Sequence, residues 1–309
     1  MACGMAQTIS ELMNTSQVAR YLKINEKKVY ALAKAGKIPC TRVTGKWTFP
    51  RKLIDAWIEE SAAPAKARDV GRMPPRSCLL AAGSDDPGLG VLRDLFEERA
   101  RPVSLFLNTI GSSGGLAALR DGVADLATSH LLDPASGEYN VSSVKKLLGD
   151  RAVVVQLFYR HLGLIVAAGN PLKLRAIGDL ARPRVRIVNR QAGSGTRLYL
   201  DHALVRLKIP ARKIHGYETS VSTHVEAGLR VLRGEADAGL ATLTTARLLG
   251  LDFVPLARER FDAVISQERF FSPGIQALLS IVGSRDFRDR LDVMGGYDST
   301  ESGRIVHGN

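Results

Sequence analysis

VRIVNRQAGSGTRLYLDHAL, residues 185–204, joins a short apolar run to a Gly/Ser/Thr loop, and a helical pattern begins directly after the loop. The first amide N–H groups of a helix have no partner within the helix, and the helix dipole favours negative charge there. The loop therefore predicts a cradle for a small anion. Its expected donors are the Ser194 and Thr196 hydroxyls, the amides around Gly195 and the Arg197 guanidinium. The alternative is a plain turn in which Thr196 caps the helix.

The same order of strand, loop and helix occurs in CLLAAGSDDPGLGVLRDLF (78–96) and in VSLFLNTIGSSGGLAALRDG (103–122). Strands that alternate with helices predict a doubly wound, parallel α/β sheet, whose ligands bind beyond the carboxyl ends of the strands. HLGLIVAAGNPLKLRAIGDLA (161–181) fits as a strand, a turn and a short helix. LDFVPLARERFDAVISQE (251–268) predicts a late pair of strands that returns the chain to its first lobe.

The loops of the first lobe supply further candidate ligand contacts, which are Ser84, Asp85, Ser112, Ser113 and His130. A carboxylate beside a fully ionised oxyanion is repulsive, so two interpretations of the Asp85-Asp86 pair stay open. In one, the pair only caps the helix that Pro87 starts. In the other, Asp85 accepts a hydrogen bond from a protonated ligand, which favours phosphate over molybdate. His130 is expected to be a hydrogen-bonding residue and not a metal ligand, because no second ligand stands at suitable spacing.

The segment MNTSQVARYLKINEKKVYALAKAGKIPCTRVTGKWTFPRKLIDAWIEES (13–61) predicts a helix-turn-helix followed by a hairpin and a third helix. Asn14 or Thr15 caps the first short helix, Asn25 caps the second, and Gly36 ends it. The hairpin turns at Thr44-Gly45. The third helix opens at Pro50, and its expected apolar face consists of Leu53, Ile54, Trp57 and Ile58.

Charge points to double-stranded DNA as the partner of this N-terminal segment. The net charge is +12, of which residues 1–60 carry +5 and residues 61–76 carry +3. Such a concentration of basic residues is typical of a surface that contacts a polyanion. The candidate DNA contacts are Lys27, Lys28, Tyr30 and Lys34 on the second helix, with Arg42 and Lys46 on the hairpin.

Cysteine usage and hydropathy indicate the compartment. Cys3, Cys40 and Cys78 are widely spaced, which fits a reducing environment without a disulfide framework. The N-terminus lacks the pattern of a signal peptide, and no apolar run approaches the length of a membrane span. We therefore expect a cytoplasmic protein without a membrane partner.

Residues 10–61 closely resemble the excisionase/MerR-like winged helix-turn-helix family, on the string TSQVARYLKINEKKVYALAKAGKIPCTRVTGKWTFPRKLIDAWI. The resemblance implies DNA binding by the helix that holds Lys27, Lys28 and Tyr30. It also implies wing contacts from Arg42 and Lys46.

Residues 77–290 resemble the type II periplasmic-binding-protein superfamily, in particular its intracellular members fused to helix-turn-helix domains. The matching segments are GSSGGLAALRDGVADLATSHLLD, GLIVAAGNPLKLRAIGDLA, NRQAGSGTR and LRGEADAGLAT. GSGTR (193–197) resembles the anion loop of phosphate-binding members, whereas HLLD (130–133) and GEYN (137–140) resemble relatives tied to molybdate or tungstate. The resemblance implies two α/β lobes that close around a ligand in the cleft between them.

Together these patterns predict a one-component transcription regulator that senses a small oxyanion. The expected domains are a winged helix-turn-helix over 1–61, a Pro/Ala/Arg linker over 62–76 and a ligand-sensing domain over 77–309. Lobe I of that domain is expected at 77–160 and 258–309, and lobe II at 161–257. We expect a homo-oligomer, because one helix-turn-helix gives limited specificity, and neither metal nor cofactor.

Two other functions remain open from the sequence. Gly111-Ser112-Ser113-Gly114-Gly115 matches the G-x-S-x-G motif of serine hydrolases, and Asp201 and His224 follow in the matching order. The first alternative is therefore a hydrolase with a DNA-targeting module. The second is a DNA-binding adaptor whose C-terminal domain holds no ligand. We expect the chain not to be an enzyme, because the same Ser/Gly pattern occurs in loops that need a shared, non-catalytic reason.

Overall fold

The computed structural model describes residues 12–42, 46–62 and 78–308. These residues fall into two compact units, one within Met1–Val70 and the other within Gly71–Asn309. The elements of the first unit are β1 (Leu12–Met13), α1 (Thr15–Tyr21), α2 (Glu26–Lys34), β2 (Phe49–Pro50) and α3 (Arg51–Ala62).

Short polar side chains set the helix boundaries of the first unit. The Asn14 side chain accepts from the Gln17 amide, and the Gln17 side chain accepts from the Asn14 amide, so a capping box starts α1. Asn25 caps α2 by accepting from the Lys28 amide at 2.8 Å. Gly36 takes a φ of +65°, which suits glycine and ends the helix region. The predicted pair of short helices is confirmed.

The core of this unit contains Val18, Val29 and Ile54, which are fully buried. Two expectations need correction. Pro50 lies in β2, paired with Leu12, so α3 begins one residue later than expected. Leu53 is 54% exposed and does not belong to the apolar face, because that face follows Ile54, Trp57 and Ile58.

The predicted hairpin is present where the structure describes it. Thr41 and Thr48 exchange two backbone hydrogen bonds of 2.9 Å, so the two arms are antiparallel. The predicted turn at Thr44-Gly45 lies outside the described residues. So does the predicted linker over 62–76, apart from Ala62 at the end of α3.

The second unit alternates strands and helices as expected. Its strands are β3 (Cys78–Gly83), β4 (Ser104–Thr109), β5 (Leu126–Ser129), β6 (Ala152–Val166), β7 (Ile187–Arg190), β8 (Ser220–Val221), β9 (Ala238–Thr242), β10 (Asp252–Ser266), β11 (Tyr297–Asp298) and β12 (Ile305–His307). Its α-helices are α4 (Gly88–Arg99), α5 (Gly111–Arg120), α6 (Val141–Leu148), α7 (Gly195–Arg206), α8 (His224–Leu232), α9 (Leu243–Leu249), α10 (Gln267–Phe270), α11 (Pro273–Val282) and α12 (Arg285–Met294), with 3₁₀ turns at Ile177–Ala181 and Ala211–Lys213.

The strands form one sheet in the order β4-β3-β5-β10-β6-β9-β7-β8, with β11 and β12 paired to β6. The predicted α/β class is confirmed, and β3 pairs in parallel with β4 and β5, as β7 does with β8 and β9. The centre of the sheet differs from the prediction, because β6 and β10 are long, antiparallel strands. The segment expected to form a late pair of strands is the single strand β10.

The long strands β6 and β10 join two lobes with separate cores. One core includes Leu79, Phe158 and Phe261, from the chain segments assigned to lobe I. Another includes Leu164, Leu200 and Leu240, from the segment assigned to lobe II. Because β6 and β10 run through both lobes, a bend of this strand pair would move one lobe relative to the other.

Asn140 anchors the loop that follows β5, which carries the HLLD and GEYN motifs. Its side-chain oxygen accepts from the Leu131 amide at 2.7 Å. Its side-chain nitrogen donates to the Ser129 carbonyl at 3.1 Å and to Asp262 at 2.7 Å. Asn140 is 1% exposed, so the loop depends on a buried amide that is satisfied on both sides.

We predict that Asn140→Ala destabilises the protein by about 2 to 4 kcal/mol, because it leaves several buried polar groups without a partner. Chemical denaturation measures the effect. Asn108→Ala, at an exposed position of β4, is the matched control and should change stability by less than about 0.5 kcal/mol. Equal stability of the two variants would contradict the anchoring role.

Candidate functional site

Three loops of lobe I meet at the carboxyl ends of β3, β4 and β5. The hydroxyls of Ser84 and Ser112 lie 2.6 Å apart, and the Ser112 hydroxyl accepts from the His130 amide at 3.3 Å. All three residues are buried. The structure thus brings together these three predicted site residues from separate loops.

Ser113 and His130 contact the opposite lobe. The Ser113 side chain is exposed, and its amide donates to the Gly193 carbonyl at 3.2 Å. A Cβ on Gly195 would lie 2.6 Å from the His130 ring, so the imidazole rests directly on the first residue of α7. The two lobes therefore meet at the Gly/Ser/Thr loop that precedes α7.

Asp85 also bridges the lobes. Its carboxylate accepts from the His224 amide, the first residue of α8, at 2.9 Å, and burial raises the pKa of Asp85. Asp85 therefore caps a helix of the opposite lobe and not its own. Asp86 serves the local role, since it accepts from the Gly88 amide at 2.7 Å at the start of α4.

The two hydroxyl side chains in the Gly/Ser/Thr loop of lobe II, Ser194 and Thr196, have different surroundings. Ser194 caps α7, accepting from the Arg197 amide and donating to the Gln191 carbonyl. The Thr196 hydroxyl is buried and has no hydrogen-bond partner among the described residues. The alternative in which Thr196 caps the helix is thus corrected: Ser194 is the cap.

Arg197 does not join the other predicted site residues. Its guanidinium donates to Asp201 at 3.1 Å and stacks over the Tyr217 ring at 4.0 Å. Asp201 stands four residues further along α7, which is the usual spacing of a helical ion pair. The cation is therefore committed to partners within lobe II, Asp201 of α7 and Tyr217.

The buried cation of lobe II is Arg190, which the sequence motifs did not reveal. Arg190 ends β7, is 2% exposed, and donates from Nη2 to the Ser222 carbonyl at 2.7 Å. Its Nε and Nη1 have no hydrogen-bond partner in the part of the chain that the structure describes. Burial lowers the pKa of Arg190 to about 10, so it stays charged at neutral pH. The sequence offered one signal for Arg190: like Ser129 at the end of β5, it stands at the end of a strand, where ligand contacts are expected.

A second group that the sequence did not reveal runs beneath the site, at the middle of β6 and β10. Arg160 donates to Glu259 at 3.1 Å and to Asp86 at 2.7 Å, and all three are buried. Glu259 lies 3.2 Å from Nδ1 of His130. Burial alone would raise the pKa of Glu259, but His130 and Arg160 hold it below the ordinary value.

His224 is fully buried, and neither ring nitrogen has a hydrogen-bond partner in the described ranges. Burial, together with Arg190 and Arg160, lowers its pKa well below the ordinary value. Asp201 accepts from Tyr217 and Arg197, so Ser113, Asp201 and His224 do not form a hydrogen-bonded triad.

The candidate DNA surface lies on the first unit. The side chains of α2 that were predicted to contact DNA are exposed: Lys27, Lys28, Tyr30 and Lys34. On the hairpin, Arg42 and Lys46 are also exposed, and the Arg42 guanidinium lies 5.5 Å from the centre of the Trp47 ring. Among the described residues, no helix is long and apolar enough to span a lipid bilayer.

A helix-turn-helix unit joined to a two-lobed α/β unit with a polar cleft defines a DNA-binding regulator with a ligand-binding domain. Residues 12–62 match the helix-turn-helix domain family, and residues 93–283 match the PBP superfamily domain. The chain belongs to the PBP superfamily, where PBP stands for periplasmic binding protein. The excisionase-like helix-turn-helix and the periplasmic-binding-protein-like domain inferred from the sequence are confirmed.

Two related sequences match most of the chain or a part of it. The chain is 29% identical to the uncharacterized protein YvgK of Bacillus subtilis over 299 residues, covering 94% of this chain and 96% of YvgK. It is also 33% identical over 110 residues to a protein in the ferredoxin 2Fe-2S gene 5' region of Clostridium pasteurianum, covering 35% of this chain and 97% of that protein.

Solved structures share the fold of the second unit. One, from Clostridium perfringens, is described as a phosphate ABC transporter substrate-binding protein with bound phosphate; its TM-score is 0.56 at 17% identity, covering 72% of this chain and 98% of that chain. The sulfate-binding protein SubI from Mycobacterium tuberculosis gives a TM-score of 0.52 at 14% identity, covering 71% and 85%.

We predict that Gly195→Ala destabilises the protein by about 1 to 3 kcal/mol, because the added methyl group would overlap a His130 ring that Glu259 holds in place. Gly90→Ala is the control, since a Cβ there meets nothing within 4 Å and alanine favours the interior of α4. Urea denaturation compares the two. A Gly195→Ala variant as stable as the wild type would mean that the lobes do not meet at this point.

Proposed function

We propose that the chain is a one-component transcription regulator that binds operator DNA through α2 and the hairpin and binds a small oxyanion in the cleft of its second unit. The observation that carries the proposal is Arg190, a buried cation with two N–H groups that no described residue accepts. Leaving charged donors unpaired in the interior costs free energy, and an oxyanion supplies the acceptors that they lack.

Other polar groups of the two lobes suit the same ligand. Thr196 adds a buried hydroxyl from lobe II, and Ser84 and Ser112 add hydroxyls from lobe I. The amino ends of α5 and α7 contribute backbone N–H groups and favourable dipoles. In this proposal Arg190 takes the role that the sequence assigned to Arg197, and no metal or cofactor takes part.

The solved relatives support an oxyanion, because one of them holds phosphate and another is named for sulfate binding. Molybdate, tungstate and phosphate are the candidate ligands that the sequence motifs favour. The regulator would work in the cytoplasm, as a homo-oligomer whose excisionase/MerR-like winged helix-turn-helix units read paired half-sites. The chain would not be an enzyme.

Ligand and DNA would be coupled through lobe closure. A ligand that contacts Arg190 in lobe II and Ser112 in lobe I binds the closed arrangement better than an open one, and so shifts the population towards closure. If closure alters DNA affinity, then DNA must alter ligand affinity by the same factor.

We predict that Arg190→Gln weakens oxyanion binding by about ten- to a hundredfold, since hydrogen bonds to charged groups contribute about 1.5 to 3 kcal/mol each. Calorimetry with molybdate, tungstate, phosphate and sulfate measures the loss, and circular dichroism checks the fold. Arg197→Gln is the matched control, because its guanidinium is committed to Asp201 and Tyr217. A loss in Arg197→Gln with none in Arg190→Gln would return the anion to the Arg197 side of the loop.

We predict that the double variant Lys27→Ala, Lys28→Ala binds operator DNA more weakly than the wild type. Its affinity should also depend less steeply on salt, by about one unit of slope for each phosphate group that the variant no longer neutralises. Gel-shift titrations at several salt concentrations measure both effects. Lys146→Ala, an exposed lysine on α6 of the second unit, is the control. Unchanged affinity of the double variant would place the DNA surface elsewhere.

A further inference from the structure

His130 stands between a carboxylate and the start of α7. Its Nδ1 lies 3.2 Å from Glu259, its ring stacks on Phe261, and the residue is 2% exposed. The ionised carboxylate of Glu259 can only accept a hydrogen bond, so Nδ1 carries the ring proton. In the neutral imidazole, Nε2 then presents a lone pair. An anion next to the ring at Gly195 would face that lone pair and be repelled.

The charged groups around His130 decide whether this repulsion is offset. Glu259 and Arg160 face the ring from β10 and β6, and Arg190 and the neutral His224 face it from β7 and α8. The loop after β3 adds the carboxylates Asp85 and Asp86, which interact with Arg190 and Arg160. Glu226 of α8 adds a further carboxylate near Arg190. Carboxylates therefore outnumber guanidinium groups in this set.

A fully ionised oxyanion would add negative charge to this cluster. Buried charge without compensation is costly, and buried groups change their protonation before they accept that cost. His130 is suited to respond because acceptors would flank both ring nitrogens, with Glu259 at Nδ1 and the anion at Nε2. An imidazolium donates from both nitrogens and satisfies both acceptors.

We propose that His130 determines which protonation state of the ligand the cleft accepts, by taking up one proton from solvent when a fully ionised oxyanion such as sulfate or molybdate binds. This inference rests on the proposed oxyanion site. The proton goes to Nε2, which donates to the anion, while Nδ1 keeps its hydrogen bond to Glu259.

The sign of the pH dependence follows from linkage. Without the anion, burial lowers the pKa of His130, so the ring is neutral at neutral pH. The bound anion raises that pKa, so binding is strongest where the ring is already protonated. Affinity for sulfate then falls by about tenfold for each pH unit between the two pKa values.

The test is calorimetry of the full chain with sulfate and with molybdate, each in two buffers of different protonation enthalpy, between about pH 6 and about pH 8. The wild type is expected to take up close to one proton per anion at pH values between the two pKa values of His130, the lower one without the anion and the higher one with it. His130→Gln should weaken binding by about tenfold at the lower end of the tested pH range, since a neutral amide replaces a charged donor. It should also lose both the proton uptake and the pH slope.

His202→Gln is the matched control, an exposed histidine on α7 that should keep the wild-type uptake. If His130→Gln fails to fold, Glu259→Gln serves instead: its amide donates to Nδ1, the ring proton moves to Nε2, and uptake should vanish. Wild-type binding without proton uptake would overturn the proposal, as would undiminished uptake in a folded His130→Gln or Glu259→Gln. If none of the four oxyanions molybdate, tungstate, phosphate and sulfate binds, the result would instead overturn the proposed function.

Discussion

The ion pair between Arg160 and Glu259 is the interaction on which the second unit depends. The two residues lie directly opposite each other in β6 and β10, where the strand pair passes from one lobe into the other. Arg160 also holds Asp86 at the start of α4, and Glu259 holds His130 against α7. Breaking a buried pair by removing one partner leaves an uncompensated charge. The same buried contacts therefore stabilise both the point where β6 and β10 pass between the lobes and the residues of the cleft.

Local patterns predicted most of the fold, because strand-loop-helix repeats and asparagine caps depend on neighbouring residues. The long central strands could not be predicted in the same way, since Arg160, His161 and Glu259 interrupt their apolar pattern. The buried charges of Arg160 and Glu259 are tolerated there only because residues distant in sequence neutralise them. A local sequence pattern does not show which residues become buried through tertiary contacts. For the same reason it did not predict that Asp85 binds the His224 amide of the opposite lobe.

The candidate site illustrates the same limit. Ser84, Ser112 and His130 follow strands, and the rule that strand ends carry ligands brought them together correctly. The same rule applies to Arg190 at the end of β7, but the Gly/Ser/Thr motif predicted Arg197 as the cation of the site. An aspartate four residues after Arg197 indicates a helical ion pair, so the two arginines could have been told apart from spacing alone.

The return of the chain to lobe I at its C-terminal end has a consequence for biosynthesis. Tyr297 donates to Asp86 at 2.7 Å, and β11 and β12 pair with β6, so lobe I is assembled from segments far apart in sequence. Lobe II is one continuous segment. On the ribosome, synthesis of lobe II is complete before synthesis of lobe I is. Tyr297, the partner of Asp86, is added more than two hundred residues after Asp86. The half-built lobe I, with its strand edges unpaired, is then the part of the nascent protein most in need of protection by chaperones.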